Sequence, residues 1–385
     1  MAARPYTLYR TTRVAPAVRG GAVLALVVLA LGPVAVTALA VGGREPSRVA
    51  AAEAASTPRQ TALTAARRTP VVEIAAVGDV ALGHAGSLPA DPGSLFAGVR
   101  GALHGDVVLG NLESALSDDG SAKCDAGASG CFSFVVPPAA ARSLRSAGFT
   151  VMSVANNHTR DAGESGLAET AAALEAAGVA TTGRAAEIAI VRTRGTRVAV
   201  LGFAPYSWAS DLLDLDAAAQ LVRSAAAKAD LVVVNMHAGA EGTAQAHVRP
   251  GAEWYLGERR GDPVAFAHAV IDAGADLVIG HGPHVLRALE WYRGRLIAYS
   301  LGNFSSHRNF DLTGPLGTSA VLRVRLHADG TWAGGRVVPV RLEGTGSPAP
   351  DPARTALTQL RELSRDDVGP RALRIGADGA LTTPA

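Results

Sequence analysis

A chain of 385 residues, 48% hydrophobic and 18% charged with 43 glycines, has room for one large or two ordinary domains and is too apolar to stay disordered. The formal net charge is +2, and the first 40 residues carry four arginines (Arg4, Arg10, Arg13, Arg19) and no acid. The remainder is therefore slightly acidic, no basic nucleic-acid surface is implied, and nucleic acid is not an expected partner.

Those arginines precede an uncharged apolar run, Ala22 to Val41, which at 1.5 Å per residue is about long enough to cross a ~30 Å hydrocarbon core. The charge order predicts a cytoplasmic N-terminus and an extracytoplasmic remainder, membrane-anchored or secreted. Ala38-Leu39-Ala40 also offers a small-residue cleavage pattern, so residues 1–43 read either as a signal peptide or as a signal anchor. Residues 44–70 lack apolar periodicity and read as a polar linker. The folded domain is expected over 71–345.

Within it, β-branched apolar runs predict strands at Val71–Val77, Asp106–Leu109, Phe149–Val154, Arg197–Phe203, Leu231–Met236, Leu277–Ile279 and Leu296–Leu301. Alanine-rich stretches separate them. Gly163–Ala177, for example, places Leu167, Ala171 and Leu174 on one helical face, with Gly178 positioned for a C-terminal cap. The alternation predicts an α/β fold. Cys124 and Cys131 enclose a Gly/Ala/Ser-rich loop, and in an oxidising compartment such a pair reads as a loop-stapling disulfide. Ser319–Leu326 and Arg336–Leu342 alternate apolar and polar residues as a hairpin does. Gly344–Pro352 reads as a breaker-rich linker, so 346–385 is expected to be a Pro-rich linker followed by a short helix around Ala353–Ser364.

Polar residues able to do chemistry stand just beyond the strands. Gly78-Asp79 follows the first, Asn111-Leu112-Glu113 the second, Asn156-Asn157-His158 the third, His237 the fifth, and His281-Gly282-Pro283-His284 the sixth. Carboxylate, amide and imidazole groups gathered from several strand ends are what hydrolytic metal sites need.

The strings GDVALG (78–83), GNLES (110–114), ANNHTRDAG (155–163), HAGAEG (237–242) and GHGPHVLRALEWYRGRLIAYSLGNF (280–304) occur in an order that resembles the CapA family. These are capsule poly-γ-glutamate biosynthesis proteins related to calcineurin-like metallophosphatases. The resemblance implies a metallophosphatase-like sandwich of two β-sheets flanked by helices. Carried over, it implies Asp79, Glu113, Asn157, His237, His281 and His284 as ligands of a divalent metal (Mn, Fe, Zn or Mg), and His158 as general acid with Asp161 orienting it. Glu241 and Glu290 are expected in support behind the ligands. Two departures bear on metal number: His281 and His284 are three apart where the superfamily spaces them by two, and Ala81 stands where a histidine is usual. The resemblance thus covers two metals, one, or none. It implies a hydrolase acting on a phosphorylated or γ-glutamyl substrate, or else a non-catalytic component that binds an anionic polymer within a membrane synthesis or export complex.

Overall fold

The computed structural model describes residues 69–84, 86–120, 123–124, 131–309 and 311–384. The N-terminal segment and nearly all of the spacer lie outside them. Among the described residues no helix is long and apolar enough to cross a membrane.

The predicted apolar runs become the central strands of two sheets. In the first, β1 (Val71–Ala81), β2 (Val107–Leu112) and β3 (Val151–Ser153) run parallel. In the second, β4 (Thr196–Ala204), β5 (Leu231–His237) and β6 (Leu277–His281) do the same. The chain then returns to the first sheet with β7 (Asn303–Ser306) and closes it with the antiparallel pair β8 (Thr318–His327) and β9 (Trp332–Glu343). Among the described residues the sheets have ten and seven strands. Their facing sides share one apolar core: Ile74 and Leu109 from the first sheet meet Val200, Val233 and Ile279 from the second. The outer face of the first sheet is covered by α1 (Ala141–Ala147) and α2 (Gly163–Ala176). That of the second is covered by α3 (Leu215–Ala226) and α4 (Pro263–Asp272). The expected sandwich of two sheets flanked by helices is present.

β1 changes partner along its length. Val71 to Ala76 pair with β8, whereas Asp79 to Ala81 pair with β7, and the ladder is irregular around Asp79. The change is possible because the segment Tyr299–Gly302 crosses from one sheet to the other and lies directly against β1 and β6. A Cβ on Gly78 would stand 1.8 Å from the Gly302 carbonyl oxygen, and one on Gly280 would stand 2.1 Å from that of Tyr299. Both positions require a residue without a side chain.

The C-terminal forty residues correct the expectation of a linker outside the domain, while the expected helix is present at Thr355–Val368. Ser347–Pro350 pairs with β9, and the two prolines are tolerated because the strand lies at an edge. Helix α5 (Thr355–Val368) buries Ala356, Leu357 and Leu360 in the inter-sheet core, and Arg374–Ile375 and Ala380–Thr382 extend the first sheet beyond β9. Asp351 receives the backbone N–H groups of Ala353 and Thr355 and so fixes the turn into α5. The folded unit therefore runs through the C-terminal strands, past 345.

Candidate metal centre

The parallel strands of both sheets end on the same side, which is where an α/β fold gathers its polar groups. Asp79 lies within β1 rather than after it, Glu113 just beyond β2, and Asn157 and His158 beyond β3. His237 and His281 are the last residues of β5 and β6 and stand opposite each other in register. His284 follows through a turn in which its own φ is +62°, a left-handed conformation that costs a non-glycine residue strain and clusters at functional sites. Asp79, Glu113, His237 and His281 are almost wholly buried, as is His284.

These side chains converge. One ligand atom from each of Asp79, Glu113 and His284 lies within 4.8 Å of the others. His284 Nδ1 is 3.3 Å from Asp79 Oδ2 and 3.8 Å from Glu113 Oε2, and His281 Nδ1 is 3.5 Å from Asp79 Oδ1. The Asn111 amide nitrogen donates to Asp79 Oδ1 at 2.8 Å and lies 3.3 Å from His237 Nδ1, so it tethers β1 to β5. Asn156 continues the chain, donating to Asn111 Oδ1 at 2.9 Å and to the Leu112 carbonyl at 2.8 Å. On the outer side Glu241 reaches His284 Nε2 at 3.7 Å and is held by Arg260 at 2.9 Å.

Many donor atoms here have no protein hydrogen bond. Both Glu113 carboxylate oxygens, the Asn157 Oδ1, His237 Nε2 and both His281 nitrogens are buried without one. A buried polar atom left so costs about 1–3 kcal/mol. Several in one place, all oxygen or imidazole nitrogen, fit a divalent cation's donor set.

The charge distribution agrees. Burial pushes the Glu113 carboxyl well above its ordinary range, and the neighbouring Asp79 and Glu241 carboxylates push the same way while His284 and Arg260 oppose them. Burial also drives the His237 imidazole well down, toward the neutral form a metal ligand needs. At Asp79 burial pushes upward, but the polar contacts and charge of His281 and His284 outweigh it and hold the carboxylate well below the usual range. His284 is the opposite case: burial disfavours its charge, yet Glu113 and Asp79 push it up to about 10.

Beside this group, His158 Nδ1 is 2.7 Å from Asp161 Oδ2, its ring stacks on Phe134 at 4.0 Å, and burial lowers its pKa. Glu290 is a correction. Expected behind the ligands, it sits instead in the strand Leu289–Tyr292 at the edge of the second sheet, engaged by His268, Tyr299 and Arg371. Strand pairing, not proximity to His284 in the sequence, decides where it goes. Cys124 and Cys131 form a disulfide.

The model of the bacterial capsule synthesis protein PGA_cap family matches residues 73–308. The chain belongs to that family. It is 32% identical over 246 residues to the capsule biosynthesis protein CapA of Bacillus anthracis, a match covering 58% of this chain and 56% of that one. Against the PGA biosynthesis protein CapA of Bacillus subtilis (strain 168) it is 30% identical over 243 residues, covering 58% and 59%. The chain thus spans little more than half the length of these curated relatives. The 5'-nucleotidase precursor of Thermus thermophilus aligns over 77% of this chain and 59% of its own with a TM-score of 0.41 and 14% identity.

The matched family region includes every residue of the converging group, together with several that the sequence reading left unassigned. Asn111, Asn156 and Asn303 stand in the strings already quoted for the resemblance, and their neighbourhood to ligands was the available signal. Asn303 faces His284 Nδ1 at 3.0 Å. Arg260 lies outside those strings and had no such signal, whereas Arg287 stands in the last of them, three residues after His284. Arg287 is completely buried, forks onto Glu253 at 2.9 and 2.8 Å and donates to the carbonyls of Gln245 and Ala240. It ties the loop carrying Glu241 to the hairpin carrying Arg260.

Proposed function

We propose that this chain is a metal-dependent hydrolase of capsule poly-γ-glutamate or related cell-envelope polymer metabolism, working outside the cytoplasm and attached to the membrane or released from it. The observation that carries this reading is the set of buried oxygen and imidazole atoms without hydrogen bonds around Asp79, Glu113 and His284. A divalent cation (Mn, Fe, Zn or Mg) bound there supplies an electrophile that acidifies water and neutralises developing oxyanion charge. Asp79, Glu113, Asn157, His237, His281 and His284 are the residues that would hold it. Asn111 and Asn156 keep the Asp79 and His237 side chains in place. His158 directs Nδ1 at Asp161, which leaves Nε2 as the atom that exchanges a proton with the leaving oxygen or nitrogen. Its substrate is a phosphoester or the amide of a γ-linked glutamate chain.

A second reading, a non-catalytic polymer-binding component of a membrane synthesis or export complex, is favoured by Ala81, which is buried in β1 where the superfamily pattern supplies a histidine. Metal content of the purified chain, followed by turnover on a panel of phosphoesters and γ-glutamyl oligomers, separates the two. Stoichiometric metal with turnover of one class supports the hydrolase. Binding of the oligomers with neither metal nor turnover replaces it by the second reading.

A further inference from the structure

Lys123 and Phe134, which flank the two cysteines in the chain, meet the His158–Asp161 pair from two sides. On one arm, Lys123, next to Cys124, places Nζ 3.0 Å from Asp161 Oδ1 and 3.4 Å from His158 Nδ1 and donates to the Asn157 carbonyl at 3.3 Å. Its backbone N–H donates to the Asp161 carbonyl at 3.2 Å. On the other arm, Phe134, three residues after Cys131, stacks its ring on His158, and its backbone N–H donates to Asp161 Oδ2 at 2.7 Å. The second arm is anchored independently, because Val135–Val136 pairs with Ala115–Leu116. The first arm is joined to that anchor through the disulfide, which brings the two cysteine Cα atoms to 5.8 Å.

We infer that the Cys124–Cys131 disulfide and Lys123 form a clamp that positions the His158–Asp161 pair. A lysine side chain has several rotatable bonds, and holding its ammonium against a buried carboxylate costs rotamer freedom. Closing the short loop fixes the Lys123 backbone beside Asp161 and so reduces the conformational search. Lys123 then satisfies the Asp161 oxygen that His158 does not use, and the aromatic face of Phe134 sets the tilt of the imidazole. Lys123 is a positioning residue in this arrangement, not a group that touches substrate.

The inference rests on the reading of His158 as the proton-transferring group, and its test has one arm that does not. In the full chain, Lys123→Ala and the double variant Cys124→Ser/Cys131→Ser should each lower kcat by about tenfold with KM and bound metal unchanged. Combining them should lower it little further, since both remove the same clamp. Lys123→Arg should recover most of the rate only while the disulfide is present. Additive losses, or a loss confined to KM or to metal content, would overturn the clamp. Independently, the ring Nδ1–H resonance of His158, assigned by its disappearance in His158→Gln, should exchange faster with water in both Lys123→Ala and the cysteine variant. An unchanged resonance overturns the clamp whether or not the chain is a hydrolase. A changed resonance in a chain without turnover upholds the clamp and removes the hydrolase reading.

Discussion

Gly78→Ala places one methyl group where the sheets are joined. The new Cβ would lie 1.8 Å from the Gly302 oxygen, 2.8 Å from the Gly302 carbonyl carbon and 2.9 Å from the Leu301 oxygen. All three are backbone atoms, so no rotamer change relieves the overlap, and restoring contact distance needs the two chains to part by roughly 1.5 Å. Overpacking of this kind costs about 3 kcal/mol or more. The same Gly302 oxygen accepts the Asp79 N–H at 2.9 Å, and losing that bond adds about 1 kcal/mol. Together they should lower Tm by roughly 10 °C. Asp79 moves with β1, so bound metal should fall as well. Gly101→Ala is the control, since nothing lies within 4 Å of a Cβ there, and it should stay within about 0.5 kcal/mol of the parent. Chemical denaturation and metal analysis of the three proteins decide the matter. A Gly78→Ala protein whose unfolding free energy stays within about 1 kcal/mol of the parent would refute the argument that Tyr299–Gly302 packs against β1 as described.

Other perturbations follow from the same contacts. Asn111→Ala removes the amide that joins Asp79, His237 and Asn156 and should weaken metal affinity by about 10-fold or more, read by competition with a chelator. His237→Ala should lower bound metal per chain, whereas His158→Ala should retain metal and lose turnover, and equal metal in parent and His237→Ala would favour the polymer-binding reading. A chain ending at 345 loses the buried Leu357, Leu360, Leu373, Ile375 and Leu381. At ~1.5–3 kcal/mol each that is on the order of a domain's whole stability, so circular dichroism should show it unfolded. Asp106 is a pH probe: burial raises its pKa, but the Glu73 N–H and Arg194 outweigh burial and hold it below the ordinary carboxylate value. Its contribution to stability is therefore complete above the ordinary carboxylate pKa and lost as pH falls through the lowered folded value. Asp106→Asn should flatten the acid limb of a stability profile measured from about pH 6 to 3.

The sequence by itself was sufficient for the parallel strands and for the residues at their ends. Runs such as Leu231–His237 are apolar on both faces because both are covered, and that composition is local. Asp79, Glu113, His237, His281 and His284 stand out in the sequence because polar groups directly after such runs have nowhere else to go than the same end of the sheets. The hairpin of β8 and β9 shows in its alternation for the same reason. Only the tertiary structure decided the rest. The prolines of Ser347–Pro350 signal a break to any local reading, and an edge beside β9 turns them into a strand. Glu290 and His284 lie in one continuous string, yet the pairing of Leu289–Tyr292 with Arg295–Ala298 carries the glutamate to the far edge of the second sheet. Gly78 and Gly280 show only as glycines in the sequence. What makes them indispensable is a backbone segment that crosses both, and Arg287 is buried because Glu253 and two carbonyls meet it there. Pairings between distant segments leave no mark on the residues nearby, because their free energy belongs to contacts that exist only once both sheets are in place.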